Sequence, residues 1–314
     1  MRSVLVTGGC GFIASNFINE FSLLYTDCTI VNIDKLDYCS NLQNVRPSVS
    51  TFVKGDIKNR DLVSHLIDKY HFDTVFHFAA QSHVDNSFND PVLFTLENVV
   101  GTHSLLETFR LKKPDVRFIH FSTDEVYGTW TSGPAFKETD TLTPTNPYSA
   151  SKAAAEMIVQ SYIKSFRMDI KIIRCNNVYG PNQYPEKLIP KFIKLLKSGQ
   201  KCTLHGTKSA HVKRAFIHVS DVVTAVLTVH EKGTTGEIYN IGSDYELSVL
   251  EVTRLIVKTV KGSGVVDDWV EYVDDRPFND VRYHIDSTKL KNLGWIQVKD
   301  KDDMISYIKC QSHV

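Results

Sequence analysis

The chain has 314 residues, 42% of them hydrophobic, with 36 lysines plus arginines against 36 aspartates plus glutamates. That length and apolar content suffice for a large buried core. The zero net charge argues against a general nucleic-acid or membrane-surface binder, which would carry a basic excess. Six cysteines, Cys10, Cys28, Cys39, Cys175, Cys202 and Cys310, form neither Cys-x-x-Cys nor a His/Cys cluster at zinc spacing. Buried, reduced thiols and no metal site are expected. The N-terminus runs directly into a strand, with no signal-peptide pattern and no long apolar span, so a cytoplasmic setting is expected.

Residues 3–7 (Ser-Val-Leu-Val-Thr) are a short β-branched run, predicted as a buried strand. Gly8-Gly9-Cys10-Gly11-Phe12-Ile13-Ala14 follows and opens an amphipathic helix over 12–25. Gly8 and Gly11 allow a tight turn and close backbone approach to a pyrophosphate. The helix N-terminus there offers unpaired N–H groups and its positive dipole end. Ala14 still lets helix and strand pack closely. The next strand, 29–33, runs into Asp34, 20 residues beyond Ala14. An acid at that position holds the adenosine ribose hydroxyls. Asp34 favours NAD over NADP because a carboxylate repels a 2′-phosphate; Lys35 beside it works against that preference.

A strand over 51–54 leads into Gly55-Asp56-Ile57, then a helix over 59–70. A fourth strand, 74–78, leads into Ala79-Ala80-Gln81-Ser82-His83-Val84-Asp85, whose small residues leave room for a cofactor. Asp90-Pro91 is a start signal for a long helix to 113. The fifth strand, 116–121, runs into Ser122-Thr123-Asp124-Glu125-Val126-Tyr127-Gly128. In an open α/β sheet ligands sit outside the carboxyl ends of the strands. Thr123, Asp124 and Glu125 therefore read as candidates for acid–base chemistry, or equally as a turn with a helix-capping Asp.

Pro147-Tyr148-Ser149-Ala150-Ser151-Lys152 opens a helix to 166. Tyr148 and Lys152, at i and i+4, share one helix face. An ammonium near a phenol lowers the tyrosine pKa and yields a base for a sugar hydroxyl. A sixth strand, 169–174, completes a β-α-β alternation typical of a parallel, Rossmann-type doubly wound sheet. Beyond it the alternation breaks. Helices are predicted over 188–196, 221–230, 248–260, 288–293 and 304–310, with strands over 215–219 and 237–241. Ser248 and Glu251 fit a capping box. The expected organisation is an α/β dinucleotide-binding domain over 1–175 with late elements from 215–242. A smaller α/β substrate lobe then comprises 176–214 and 243–314.

Thr7-Gly8-x-x-Gly11-x-x-Ala14 together with Tyr148-x-x-x-Lys152 resembles the extended short-chain dehydrogenase/reductase family. Within it, the 121–128 stretch is similar to nucleotide-sugar 4,6-dehydratases; sister 4-epimerases and decarboxylases usually have small or hydroxyl residues in place of Asp124 and Glu125. Segments 79–85, 176–181, 186–190 and 276–280 add to the resemblance, which covers roughly residues 2–296. Arg276-Pro277-Phe278-Asn279-Asp280, with Asp34-Lys35-Leu36-Asp37-Tyr38-Cys39 and Tyr179-Gly180-Pro181-Asn182-Gln183, looks like the dehydratase domain of plant-type UDP-rhamnose synthases. Bacterial dTDP-glucose dehydratases usually carry Arg-Pro-Gly-His-Asp there.

The resemblance implies NAD as cofactor and UDP-glucose as substrate, with dTDP-glucose as the alternative. Tyr148, helped by Lys152 and Thr123, would take the C4 hydroxyl proton as C4 is oxidised. Glu125 would remove the C5 proton, and Asp124, held protonated, would protonate the departing C6 hydroxyl. The cofactor positions implied are Gly8, Gly11, Phe12, Ile13, Asp34, Lys35, Asp56, Ile57, Ala79, Ala80, Ser82 and Asn98, together with Tyr148 and Lys152. The substrate positions are Ser82, Thr123, Asn177, Lys187, Leu188, His205, Arg214, Arg276 and Asn279. Glu97, where many relatives have Thr or Asn, is expected near the nicotinamide ribose. Relatives form homodimers through the helices that begin at Asp90 and Pro147, with Leu105, Leu106, Phe109, Ala153, Ala154, Met157 and Ile158 as candidate contacts. The epimerase/reductase half of the plant enzymes has no counterpart here, so a separate downstream enzyme is expected to complete rhamnose.

Overall fold

The structure, a computed structural model, describes residues 2–206, 209–262, 265–274 and 280–313. Its first half alternates strand and helix. In chain order these are β1 (Ser3–Thr7), α1 (Phe12–Leu24), β2 (Thr29–Asp34), β3 (Thr51–Lys54), α2 (Arg60–Tyr70), β4 (Thr74–His77), α3 (Val84–Asn89), α4 (Pro91–Phe94), α5 (Gly101–Lys112), β5 (Arg117–Thr123), α6 (Pro147–Phe166) and β6 (Ile170–Cys175). The second half holds β7 (Asn177–Tyr179), α7 (Leu188–Lys197), β8 (Cys202–His205), β9 (Lys213–His218), α8 (Val219–Lys232), β10 (Ile238–Ile241), β11 (Glu246–Ser248), α9 (Val249–Lys261), β12 (Val270–Val273), α10 (Thr288–Lys291) and α11 (Lys301–His313).

Seven strands form one parallel sheet in the order β10-β6-β5-β4-β1-β2-β3. Successive side chains of a strand point to opposite faces, so a strand covered on both sides reads as a continuous apolar run. β1 shows this directly. Val4 and Val6 pack with Phe17 and Phe21 of α1 and Val222 and Val226 of α8. Leu5 packs on the other face with Val63 and Leu66 of α2 and Leu105 and Phe109 of α5. Helices thus cover both faces, and the carboxyl ends of β1 to β6 open on one edge.

The strand expected at 215–219 is β9, but it does not enter this sheet. It lies between β7 (parallel) and β11 (antiparallel) in a three-stranded sheet. From 215–242, β10 joins the seven-stranded sheet and α8 packs against it. β8 and β12 form a parallel pair, and with α7, α9 and α11 they enclose a separate core built on Ile189, Phe192, Leu196, Ile256 and Ile308. The strands not foreseen, β7, β8, β11 and β12, have three or four residues each, too few for a period to show.

The long helix expected from Asp90 is interrupted. Asp90 caps α4 by accepting from Leu93 N at 3.1 Å, and a π-helical turn, Thr95–Val100, separates α4 from α5. α3, just before it, was not anticipated. α6 has the predicted bounds. Asn146 and Ser149 form its capping box, Pro147 occupies its first turn, and Arg167 ends it in the left-handed region at φ 55°. Cys10, Cys175 and Cys202 are buried free thiols; Cys310, against expectation, is exposed. Among the described residues no helix is long and apolar enough to cross a membrane.

Candidate active site

The ends of β1 to β6 line one cleft, closed on the far side by β7, Phe216 of β9 and the start of α7. Its floor is the β1–α1 turn. Gly8 sits at φ +68°, and a Cβ there would lie 2.8 Å from the Ala79 Cα, so only glycine lets the turn approach the end of β4. Gly11 caps α1 with no side-chain bond, leaving the first-turn N–H groups to the cleft. Phe12, Ile13, Asp56, Ile57, Ala79, Ala80 and Ser82 line the same wall.

Asp34 is buried, and its carboxylate accepts from Cys10 N at 3.0 Å and Leu36 N at 2.8 Å. Lys35 does not stand free beside it. Its Nζ pairs with Asp37 at 3.1 Å and Glu97 at 3.0 Å, so its charge is taken up. Glu97 also binds Lys58 Nζ at 2.5 Å, and Lys58 lies 3.4 Å from Asp56. Glu97 therefore belongs to the Asp34–Asp56 end of the cleft, away from where the nicotinamide ribose was expected. The open first turn of α1, the glycine cradle and the buried acid fit a dinucleotide with an unphosphorylated adenosine ribose.

Asn98 was expected to touch the cofactor, but it lies behind the cleft wall. Its amide donates to Gln81 O at 3.0 Å and Ser151 Oγ at 2.9 Å, and its carbonyl accepts from Gln81 N at 2.8 Å. The π-helical turn carries it inward, where it ties the β4 loop to α6. Gln81 itself lines the cleft and donates to Asp37 at 2.6 Å.

At the other end, Thr123, Asp124, Glu125, Tyr148 and Lys152 converge. Thr123 ends β5 and caps the following 3-10 turn, Asp124–Tyr127, by accepting from Glu125 N at 3.3 Å. The turn closes at Gly128, φ +77°, where a Cβ would meet Thr143 O at 2.2 Å. The strand end is thus a capped turn, though the cap is Thr123 and not an aspartate, and it brings Asp124 and Glu125 to the cleft. Asp124 is 2% exposed and accepts from Asn176 Nδ2 at 2.6 Å and Thr123 Oγ1 at 3.2 Å. Burial, then the neighbouring Glu125, push its pKa up to about 7, against those two hydrogen bonds and the Arg214 charge. Glu125, partly exposed, accepts from Asn146 Nδ2 at 3.2 Å and Tyr283 Oη at 3.3 Å. Burial raises it too, while Asn146, Arg214 and Lys187 pull it down.

The expected lowering of the Tyr148 pKa by Lys152 is not what the protein by itself produces. Burial and the Glu125 charge hold the phenol above its usual range, with only the hydrogen bond to Thr123 pulling it down. The Lys152 ammonium instead donates to Phe121 O at 2.8 Å, and burial lowers its own pKa to about 8 against the pull of Glu156.

Among the substrate positions, Asn177, Lys187 and Leu188 line the cleft. Asn177 Nδ2 is buried with no partner, a donor left for a ligand. Lys187 spans the cleft to Ser82 O at 3.0 Å. His205 and Arg214 are not brought to the wall. His205 Nδ1, at the end of β8, lies 3.1 Å from the carbonyl of Asp274, the residue after β12. The Arg214 guanidinium binds the carbonyls of Lys213, Asp280 and Val281 and covers the Tyr283 ring. Arg276 and Asn279 fall outside the described residues.

Sequence reasoning assigned no role to Asn146, Asn176 or Tyr283. Asn146 carried a readable signal, an N-cap residue just before Tyr148. Tyr283 carried none, since it reaches Glu125 across 158 positions of chain.

The chain matches the GDP-mannose 4,6 dehydratase family over residues 5–308. It is 47% identical over 303 residues to a trifunctional UDP-glucose 4,6-dehydratase/UDP-4-keto-6-deoxy-D-glucose 3,5-epimerase/UDP-4-keto-L-rhamnose-reductase of Arabidopsis thaliana, covering 94% of this chain and 45% of that protein. The chain thus spans about half the length of that plant relative. It is 46% identical over 301 residues to the dTDP-D-glucose 4,6-dehydratase of Bos taurus, covering 94% of this chain and 84% of that one. Its fold matches that of DesIV, a dTDP-glucose 4,6-dehydratase from Streptomyces venezuelae solved with NAD and TYD bound. The TM-score is 0.91 at 35% identity, over 98% of this chain and 96% of that one. Cleft, acid pair and similarity run together along nearly the whole sequence, and the chain belongs to the GDP-mannose 4,6 dehydratase family, among the nucleotide-sugar 4,6-dehydratases.

Proposed function

We propose that the protein is an NAD-dependent UDP-glucose 4,6-dehydratase acting in the cytoplasm, converting UDP-glucose to UDP-4-keto-6-deoxyglucose with loss of water. The observation that carries the reading is the convergence of Asp124 and Glu125, each held by its own partners, on the cleft that holds Tyr148 and Lys152. Oxidation or epimerisation at C4 needs only the tyrosine and lysine; elimination needs a base and an acid besides.

Gly8, Gly11 and the α1 N-terminus would hold the pyrophosphate and Asp34 the adenosine ribose. When bound, NAD supplies the redox chemistry, accepting hydrogen from C4 and giving it back at C6. Tyr148 takes the O4 proton, and Lys152 holds positive charge beneath it. Glu125 takes a proton from C5 and later gives one back to C5, exchanging with solvent in between. Asp124 gives a proton to O6 as water departs. Lys187, Asn177 and Ser82 grip the nucleotide sugar. Lys187 crossing to Ser82 helps keep water out of the closed cleft.

UDP-glucose is favoured over dTDP-glucose by the Phe278-Asn279 pair and by the plant-like segments 34–39 and 179–183. The bovine relative and DesIV support dTDP-glucose as the second reading. Incubating the protein and NAD with each nucleotide sugar in turn should give faster loss of one water, read by mass spectrometry, from UDP-glucose. A strong thymidine preference overturns the choice of base, and no 4-keto product from either overturns the reaction.

The protein is also proposed to dimerise, through a face different in detail from the one expected. Leu105, Leu106 and Phe109 are fully buried against the sheet and cannot meet a partner. The exposed apolar residues are instead Val92, Leu93, Leu96 and Val100 on the helical run after Asp90, with Met157 on the α6 helix packed beside it. Light scattering at micromolar concentration should give a dimer mass, and Leu96→Asp with Met157→Asp should give a monomer. A monomeric wild type refutes the proposal.

A further inference from the structure

Two lysines stand at the adenosine end of the cleft, and one carboxylate holds both. Lys35 follows β2 directly after Asp34, and Lys58 lies between β3 and α2, two positions beyond Asp56. Glu97, on the π-helical turn between α4 and α5, takes Lys35 Nζ on Oε2 at 3.0 Å and Lys58 Nζ on Oε1 at 2.5 Å. Both of its oxygens are used, and the ends of β2 and β3 are tied together through them.

Glu97 is the firmer partner of each lysine. Its side chain is 13% exposed, whereas Asp37 and Asp56, the other partners, are each 35% exposed. Ion pairs open to water are screened and contribute little. Asp37 Oδ2, which faces Lys35, also accepts from Gln81 Nε2 at 2.6 Å, and Asp56 stands 3.4 Å from Lys58. Without Glu97 each ammonium would keep only a solvent-exposed neighbour.

The charges at this end bear on the ribose that Asp34 would hold. Asp34, Asp37, Asp56 and Glu97 set four carboxylates against the ammoniums of Lys35 and Lys58. A phosphate on the ribose 2′-oxygen adds about 1.5–2 negative charges at pH 7 and needs a cation to receive it. A free lysine serves that purpose as a point charge. Asp34 alone does not close off this route, because Lys35 is its neighbour in the chain.

We propose that Glu97 sets the choice of dinucleotide: by holding Lys35 and Lys58 it denies a 2′-phosphate its cationic partners, so that the cleft takes NAD and rejects NADP. The inference rests on the NAD-dependent reading of the cleft. Glu97 touches no reacting atom in this role. It turns two potential phosphate ligands into part of the wall, and its own charge adds to the repulsion that Asp34 begins.

The full-length protein loaded with isotopically labelled NAD and titrated with unlabelled NAD or NADP tests this. The ratio of the concentrations that displace half the label reads the preference, and the wild type should favour NAD. Glu97→Gln keeps the side chain's size and removes its charge. It should shrink the ratio by about 10-fold or more, the worth of one hydrogen bond to a charged group. The change should fade as salt is raised. Adding Lys35→Met and Lys58→Met to Glu97→Gln should restore most of the wild-type ratio, since the freed ammoniums are what receive the phosphate. Adenosine 2′,5′-bisphosphate compared with AMP, each as competitor, should show the same pattern and so place the effect at the adenosine end.

A wild type that binds NADP as tightly as NAD overturns the proposal, and so does Glu97→Gln with an unchanged ratio. A ratio that narrows equally with and without the two lysines overturns it as well, because the lysines then take no part. Each of these results leaves the NAD-dependent reading standing if labelled NAD binds the wild type, whereas failure of NAD to bind overturns that reading itself.

Discussion

Replacing Glu125 with Gln is expected to cut 4-keto product formation by about 10²–10⁴-fold, the range that one positioned base contributes. The substitution keeps the side chain's size and its acceptor for Tyr283, but the new amide cannot take the C5 proton. In D2O the wild type should place one deuterium at C5 of its product, seen as a mass one unit higher. Residual product from Glu125→Gln should form slowly, while dinucleotide binding should hold, because Glu125 lies at the opposite end of the cleft from Asp34 and Glu97. Turnover near the wild-type rate would remove Glu125 from the chemistry and leave Asp124 as the only acid–base carboxyl.

The second large effect concerns stability. Beneath the catalytic strand, Arg174 and Glu156 form an ion pair at 2.7 Å, 1% and 0% exposed. Ser122 Oγ donates to Glu156 at 2.5 Å, and Arg174 Nη1 donates to Tyr127 Oη at 2.7 Å and Glu138 O at 3.2 Å. The network joins β5, β6, α6 and the catalytic turn. Removing one partner of a buried pair leaves an uncompensated charge and costs about 3–5 kcal/mol. Glu156→Gln should therefore lower Tm by something on the order of 10 °C in a chain of this size. It should also move activity. Glu156 supports the charge of Lys152, one helical turn before it, so its loss should drop the Lys152 pKa further and bring the alkaline loss of activity to lower pH. A variant with unchanged Tm and an unchanged alkaline limb would show that the pair neither holds the strand nor serves the lysine.

Much of this architecture was open to reading in one dimension because its signals are local. Strands covered on both faces are continuous apolar runs, and the Gly8–Ala14 turn, Asp34 and the Tyr148/Lys152 spacing each fall within a few residues of a strand end or helix start. The two carboxyls at 124 and 125 could be placed at the end of β5 by the same logic. Long-range contacts were not available to it. Asn98 matches a cofactor position in sequence, yet the π-helical turn spends both ends of its amide on Gln81 and Ser151. Arg214 and His205 match substrate positions, yet each is engaged by backbone carbonyls of the lobe. Lys35 stands beside Asp34 in sequence as a competing charge, yet in the fold Asp37 and Glu97 take that charge up. The apolar residues of the helix after Asp90 could not be divided between core and surface without knowing which side met the sheet.

By itself the sequence determined the doubly wound sheet, the glycine turn and which residue types stand at the strand ends, since periodicity and turn chemistry act over a few residues. Only the tertiary structure decided the protonation landscape. Burial and partners drawn from distant elements, Asn176 on Asp124, Asn146 and Tyr283 on Glu125, set the energies of those protons. Such fields depend on distance in space and leave no pattern along the chain.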